Sequence, residues 1–306
     1  MSIKTVLIGA FEEMLCCPLC KTGLQRCSDD YLCLDCDTRY PKRNGVPDFR
    51  IIGPAYARSL AQTKWIEGQK GFEQFSAEIV RRDSAEFYSA EINSVIEIYT
   101  RDFPPFYGTL LDVGGSRGTL RHFLASGVKY LVIDPQIDAF EGLGSHPNLL
   151  RTYPFMAEPC SFLAGFAEQL PLFSRTFDFV HMRSVLDHVF DPQLAIKEAY
   201  RVLKDNGKLM IGVSTHISQP SGNALGPGIV RALGRARVAL RNGGVPELVT
   251  RIQRKLTSQP DHHMWRWSKD DLVNLVEHNG FDIDKLVWQK PPFQNCIYML
   301  CRKGLR

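Results

Sequence analysis

Six of the chain's nine cysteines lie between residues 16 and 36, and four of them form two pairs, Cys17-Pro-Leu-Cys20 and Cys33-Leu-Asp-Cys36. Each C-x-x-C knuckle aims two thiolates at one point. The twelve residues between the pairs suffice for two short strands and a turn at Ser28-Asp29-Asp30. Two knuckles closed by such a hairpin build the four-sulfur tetrahedron that Zn²⁺ prefers, so Cys17, Cys20, Cys33 and Cys36 are the expected ligands of a structural zinc. A thioredoxin-like redox pair would need βαβ surroundings, which are missing here. An iron–sulfur cluster uses the same thiolates, and spacing alone leaves it open. Cys16 and Cys27 are spare, and Cys16 competes with Cys17 for its ligand place. A ribbon this small buries too little apolar surface to fold without metal.

The second constellation is Leu110-Leu111-Asp112-Val113-Gly114-Gly115-Ser116-Arg117-Gly118-Thr119. An apolar strand runs into a glycine-rich turn, whose small residues let the backbone approach a ligand and leave N–H groups free to bond it. A dinucleotide fingerprint needs glycine at the first, third and sixth loop positions; here these are Gly114, Ser116 and Thr119. A phosphate loop needs a Gly-Lys-Ser/Thr ending, also missing.

With Asp112 two positions before the first glycine, the loop resembles the D-x-G-x-G-x-G turn of class I S-adenosylmethionine-dependent methyltransferases, with Ser116 at the middle glycine. Further pieces follow in that family's order. Val132-Ile133-Asp134 ends the next strand, where a carboxylate can hold a vicinal diol. Gly165-Phe166-Ala167-Glu168-Gln169-Leu170-Pro171 resembles the family's G-x-A-E-x-L-P turn. The segment from Phe177 to Ser214 resembles the fourth strand, fourth helix and fifth strand of the fold, and within the class the chain most resembles the type 11 branch. The resemblance implies that Gly114, Gly115 and Gly118 line the amino-acid end of S-adenosylmethionine, and that Asp112 orients that loop. It implies that Asp134 holds the ribose, that Ala167 and Glu168 border adenine, and that His181, Met182 and Arg183 leave the fourth strand at the methyl-donor pocket. The tail Arg39-Tyr40-Pro41 to Phe49 resembles the small zinc-ribbon proteins that activate methyltransferases, which implies a stabilising or docking role for the ribbon.

The elements that must position these residues are legible in the periodicity. Residues 54–107 read as helical, ending at Pro104-Pro105. Strands are expected at 109–113, 130–133, 161–164, 177–181 and 208–213, and helices at 117–125 and 191–203. Alternation of this kind means a parallel sheet covered on both faces. A helix from Ser268 to Asn279 opens on a capping-box-like Ser-x-x-Asp, and strands 281–288 and 295–301 close the chain as an antiparallel hairpin. The expected fold is α/β: a Rossmann-like, seven-stranded mixed sheet with helices on both faces, a C-terminal antiparallel hairpin and a small N-terminal zinc ribbon. The expected divisions are a ribbon segment over 1–53, a helical linker or cap over 54–107, and a catalytic domain over 108–306.

Methyl transfer is a displacement at a sulfonium that carries its own activation, so the protein chiefly aligns nucleophile and methyl. Where the acceptor must lose a proton, the candidate bases are His188 and the pair His262-His263. Residues 216–262 form an insertion. Between Ile229 and Leu256 it holds Arg231, Arg235, Arg237, Arg241, Arg251, Arg254 and Lys255 against Glu247 alone. With Ile229, Leu233, Ala236 and Leu240 at helical spacing, it reads as a basic amphipathic lid. The acceptor expected is a small molecule or glycan-type metabolite. The alternatives are RNA docked on the ribbon, and another alkyl transfer from S-adenosylmethionine.

The whole chain has 306 residues and a net charge of +4, modest for a phosphate binder. A hydrophobic fraction of 44% and a charged fraction of 23% exclude wholesale disorder. No run approaches the ~18 apolar residues of a membrane span. The apolar run Val6–Phe11 is followed at once by Glu12-Glu13 with no cleavage signature, so the default location is cytoplasmic.

Overall fold

The computed structural model of the chain describes residues 9–50, 60–136, 146–215, 263–289 and 295–304. A short helix α1 (Gly9–Glu12) leads into a four-stranded antiparallel ribbon, β1 (Gln25–Arg26), β2 (Asp30–Leu32), β3 (Arg39–Arg43) and β4 (Val46–Pro47). Two helices follow, α2 (Leu60–Arg82) and α3 (Ala85–Glu97). A π-helical turn over Ile98–Asp102 then leads toward the first strand of the main sheet. Ser84 caps α3 by accepting the Phe87 N–H at 3.2 Å.

The main sheet comprises β5 (Thr109–Val113), β6 (Lys129–Ile133), β7 (Ser161–Leu163), β8 (Phe177–Arg183), β9 (Leu203–Ser214), β10 (Phe281–Trp288) and β11 (Cys296–Lys303). Its order is β10-β11-β9-β8-β5-β6-β7. The block from β9 to β7 is parallel, and β11 runs antiparallel to both its neighbours. The seven-stranded mixed sheet with its closing hairpin is the architecture expected. Helices α4 (Pro147–Thr152), α5 (Pro192–Val202) and α6 (Lys269–His278) complete the described elements. Ser268 caps α6 in a full capping box with Asp271. No helix among the described residues is long and apolar enough to cross a membrane.

Strand β9 starts at Leu203 and β11 runs to Lys303, both longer than expected, and two further differences bear on the site. The helix read over 117–125 is a single 3₁₀ turn, Thr119–Phe123. Gly118 in the left-handed region (φ 74°) sets its start and the extended backbone at Leu124 ends it. Strand β8 runs on to Arg183, so His181, Met182 and Arg183 lie within it rather than beyond its end.

Alternation along the strands builds a core on each face. Leu111, Val113, Leu131, Ile133, Val180, Met182, Leu209 and Ile211 meet α5 through Ala195, Ile196 and Ala199, and α6 through Leu272 and Val276. Leu110, Val132, Phe179, Met210 and Leu300 form the other face, against Val95, Ile98 and Tyr99. The ribbon is joined to the first of these cores. Leu15, Tyr31, Tyr40 and Phe49 are buried in it together with Leu163, Leu170 and Leu172. Backbone pairing reinforces the junction: Ala164 N–H donates to Pro47 O at 2.9 Å and Phe49 N–H to Ala164 O at 2.7 Å, so the ribbon extends the β7 edge. Lys21 reaches Glu198 of α5 at 2.6 Å.

Candidate active site and metal centre

The four ribbon cysteines converge. The sulfurs of Cys17, Cys20, Cys33 and Cys36 all lie within 4.8 Å of one another, with Cys17 and Cys36 sulfurs 3.7 Å apart. Zinc–sulfur bonds of ~2.3 Å set tetrahedral sulfurs ~3.8 Å apart, so the donor set fits Zn²⁺. The Tyr40 hydroxyl lies 3.0 Å from the Cys17 sulfur and Thr22 Oγ1 lies 3.6 Å from that of Cys33, giving the cluster polar support. Cys16 stands outside it, its N–H donating to Pro171 O at 3.0 Å in the junction with the main sheet.

The glycine loop leaves β5 at the C-terminal edge of the parallel strands. Gly114 sits at φ 65°, and its N–H donates to Ile133 O at 2.7 Å. A Cβ on Gly115 would meet Asp112 Oδ2 at 2.5 Å, so the carboxylate lies directly against the loop backbone. Ser116, at the middle glycine position of the motif, adopts φ 52°, and its N–H donates to Asp134 Oδ2 at 2.8 Å.

Two cavities share this loop. The first, of about 520 Å³, is lined by Gly114, Asp134, Ala167 and Glu168, with Trp65, Phe72 and His188 across from them. Both acids are buried. Burial pushes the Asp134 carboxyl up to about 6, against the lowering pull of the N–H groups of Gln136 and Ser116. Burial likewise raises Glu168, which accepts from the Phe190 N–H at 2.6 Å. The second cavity, of about 1080 Å³, is lined by Asp112, Gly114, Gly115, His181 and Arg183 together with Arg117, Glu91 and an aromatic wall that includes Phe75, Phe87 and Tyr99. Arg117 pairs with Glu91 at 2.9 Å. Arg183 is half-buried, and Tyr298, Tyr99 and Glu91 around it hold its charge against the cost of burial.

Of the residues expected at the cofactor, Asp112, Gly114, Gly115, Asp134, Ala167, Glu168, His181 and Arg183 line one cavity or the other. Met182 and Gly118 line neither. Met182 points to the opposite face of β8 from His181 and Arg183 and is buried in the core. Gly118 shapes the turn instead, through its left-handed backbone. His188 lines the first cavity, and His263 stacks on it with ring centroids 4.8 Å apart. His262 and the basic insertion lie outside the described residues. Trp65, Gln69 and Phe72 of α2, which sequence reasoning left in a linker, form one wall of the first cavity. The signal that could have found them was the aromatic spacing of that helix.

The strand order, the reversed β11 and a loop-bound cavity at the C-terminal strand edge define a Rossmann-like methyltransferase fold. A family model described as a methyltransferase domain matches residues 80–286, and the chain belongs to that family. An uncharacterized methyltransferase of Mycobacterium bovis is 29% identical over 168 residues, covering 53% of this chain and 62% of the relative. The chain thus spans about three fifths of the length of such curated relatives. The ubiquinone/menaquinone biosynthesis C-methyltransferase UbiE of Roseobacter denitrificans is 28% identical over 114 residues, 37% of this chain and 44% of that protein. Among solved structures, a chain from the Haloferax volcanii complex of the Trm112 methyltransferase activator with a methyltransferase superposes with a TM-score of 0.51. It has 12% identity and covers 78% of this chain and 97% of that one. That likeness is one of fold.

Proposed function

We propose that this chain binds S-adenosylmethionine across the two cavities and transfers its methyl group to a small-molecule acceptor. One observation carries the reading: two buried carboxylates, Asp134 at the end of β6 and Glu168 after β7, face one cavity beside the glycine loop. Each is costly to keep charged when buried, and the backbone N–H groups each accepts leave lone pairs over. A ribose diol on Asp134 and the adenine amino group on Glu168 add further donors. When bound, the cofactor supplies the electrophilic methyl. The chain's own residues orient it through Gly114 and Gly115 and shield it with Trp65 and Phe72.

The acceptor belongs in the larger cavity. Its aromatic wall suits an apolar or aromatic body. This supports a metabolite over RNA. The ribbon acts as a built-in, zinc-held buttress: Arg50 donates to Pro135 O at 2.8 Å, directly behind Asp134. Calorimetry with S-adenosylmethionine tests the reading, with Asp134→Ala expected to weaken binding at least tenfold. Labelled methyl transfer into a small-molecule extract, against an RNA extract, then separates the acceptor classes. Equal affinity in wild type and variant would overturn the ribose assignment.

A further inference from the structure

We propose that Asp187, His188 and His263 form a second metal site, for a divalent ion of the zinc class, at the rim of the first cavity. His188 Nε2 stands 3.8 Å from Asp187 Oδ1, and His263 Nε2 stands 3.5 Å from Asp187 Oδ2. All three ligand atoms fall within 4.8 Å of one another. These separations exceed those of hydrogen bonds, which close at ~2.7–3.2 Å. They approach those of ligands on one ion, since bonds of ~2.0–2.1 Å put tetrahedral donors ~3.3 Å apart. Adjustment of the half-exposed His263 side chain brings the donors closer still.

A second observation points to a cation independently. Asp187 is 4% exposed, and its Oδ1 has no hydrogen-bond partner among the described residues. A buried carboxylate oxygen left in this state is strongly unfavourable, and a bound cation removes the penalty.

The scaffold around the three side chains is fixed, as a metal site requires. The main-chain carbonyl of Asp187 accepts the N–H groups of Met264 at 2.7 Å and Trp265 at 3.2 Å, which ties the His263 segment to the Asp187 segment. Trp265 Nε1 donates to Val189 O at 2.9 Å and Trp267 Nε1 to Leu186 O at 3.2 Å. The carbonyl of His188 accepts from Trp65 Nε1 and Gln69 Nε2, each at 3.0 Å, and Phe72 packs on its ring at 4.8 Å.

Two imidazoles and one carboxylate form a donor set for first-row transition ions rather than for Mg²⁺ or Ca²⁺. Three protein ligands leave a coordination position open, and His188 lines the cavity. If the methyltransferase reading above holds, that position faces the cofactor's cavity, and the two histidines serve as ligands rather than as bases. The ion-binding claim itself does not depend on that reading.

Metal content of the full-length chain tests the site. Wild type, Asp187→Asn and His263→Ala are each equilibrated with buffered Zn²⁺, desalted and analysed, with circular dichroism confirming the fold. His263 is half-exposed, so its variant keeps the core intact. The expected result is one zinc more per chain in wild type than in either variant. Cobalt substitution in wild type adds a spectrum without thiolate charge transfer, which the ribbon sulfurs cannot give. Equal metal content in all three proteins overturns the proposal. Calorimetric binding of S-adenosylmethionine by the same samples reports separately on the methyltransferase reading.

Discussion

His181 Nδ1 lies 2.7 Å from Asp112 Oδ1, and both residues are buried side by side on adjacent strands. The carboxylate makes Nδ1 the protonated nitrogen, which leaves Nε2 to accept from the Tyr99 hydroxyl at 2.8 Å. The other Asp112 oxygen accepts from Tyr130. The family's loop aspartate is thus occupied within the protein, and it positions the glycine loop from beneath. Asp112→Ala orphans two buried donors, at ~1–3 kcal/mol each. We expect denaturant unfolding to show a loss of about 3 kcal/mol. Tyr99→Phe removes a single bond and should cost about 1 kcal/mol. A loss for Asp112→Ala no larger than that for Tyr99→Phe would show that the carboxylate is not the anchor.

Cofactor binding should depend on pH through Asp134. Burial raises its carboxyl to about 6, and a ribose diol donates only to the ionised form. Below that pH the group must lose a proton on binding, so affinity falls about tenfold per pH unit as the solution is acidified. Above it the profile is flat. In the free protein the sign is opposite: the raised carboxyl contributes stability when protonated, and that contribution is lost as pH rises through about 6. Calorimetry between pH 5 and 8 checks this, with Asp134→Asn expected to bind weakly and without the slope. A flat wild-type profile contradicts it.

Much of this was legible in the sequence because it is local. Strand β10 spans the expected residues, and the capping box at Ser268 and Asp271 is present. The four cysteines meet because C-x-x-C spacing constrains them within one turn each. What was not legible depends on contacts distant in sequence. The aromatic spacing around Trp65 marks an apolar face on α2 but not that this face closes a cavity opposite Glu168, because a wall residue is specified by the surface it faces. Strand β8 continues two residues past the expected end, to Arg183, and alternation then sends Met182 to the core. The ribbon reads as a separate unit from its cysteines, yet Tyr31, Tyr40 and Phe49 share a core with Leu163 and Leu170.

That shared core links the ribbon to ligand binding. Arg50 is held by Asp48 in a two-pronged pair, with both N–O distances 2.8 Å, and donates to Pro135 O next to Asp134. Arg50→Ala should weaken S-adenosylmethionine binding several-fold through loss of one charge-assisted bond while zinc uptake by the four cysteines stays at the wild-type level. Cys33→Ser should lower both thermal stability and cofactor affinity, because the aromatic residues it anchors lose their packing. If Cys33→Ser removes the metal but leaves both quantities at wild-type values, the ribbon is not a buttress.

Gly114 offers the most local test of the loop. Its φ of 65° costs a residue with a side chain ~1–2 kcal/mol, and a Cβ there would overlap Cγ2 of Val185. The overlap is with a stiff β-branched side chain, so the loop backbone must move, which disturbs the Gly114–Ile133 hydrogen bond that sets its path. Gly114→Ala should therefore bind S-adenosylmethionine at least tenfold more weakly than wild type and unfold at a lower denaturant midpoint. Adding Val185→Ala relieves the collision but not the backbone strain. The double variant should recover part of the lost affinity, and the unrecovered part measures the left-handed conformation itself. Full recovery would mean that the strain contributes nothing, and no recovery would mean that the loop is not set by Val185.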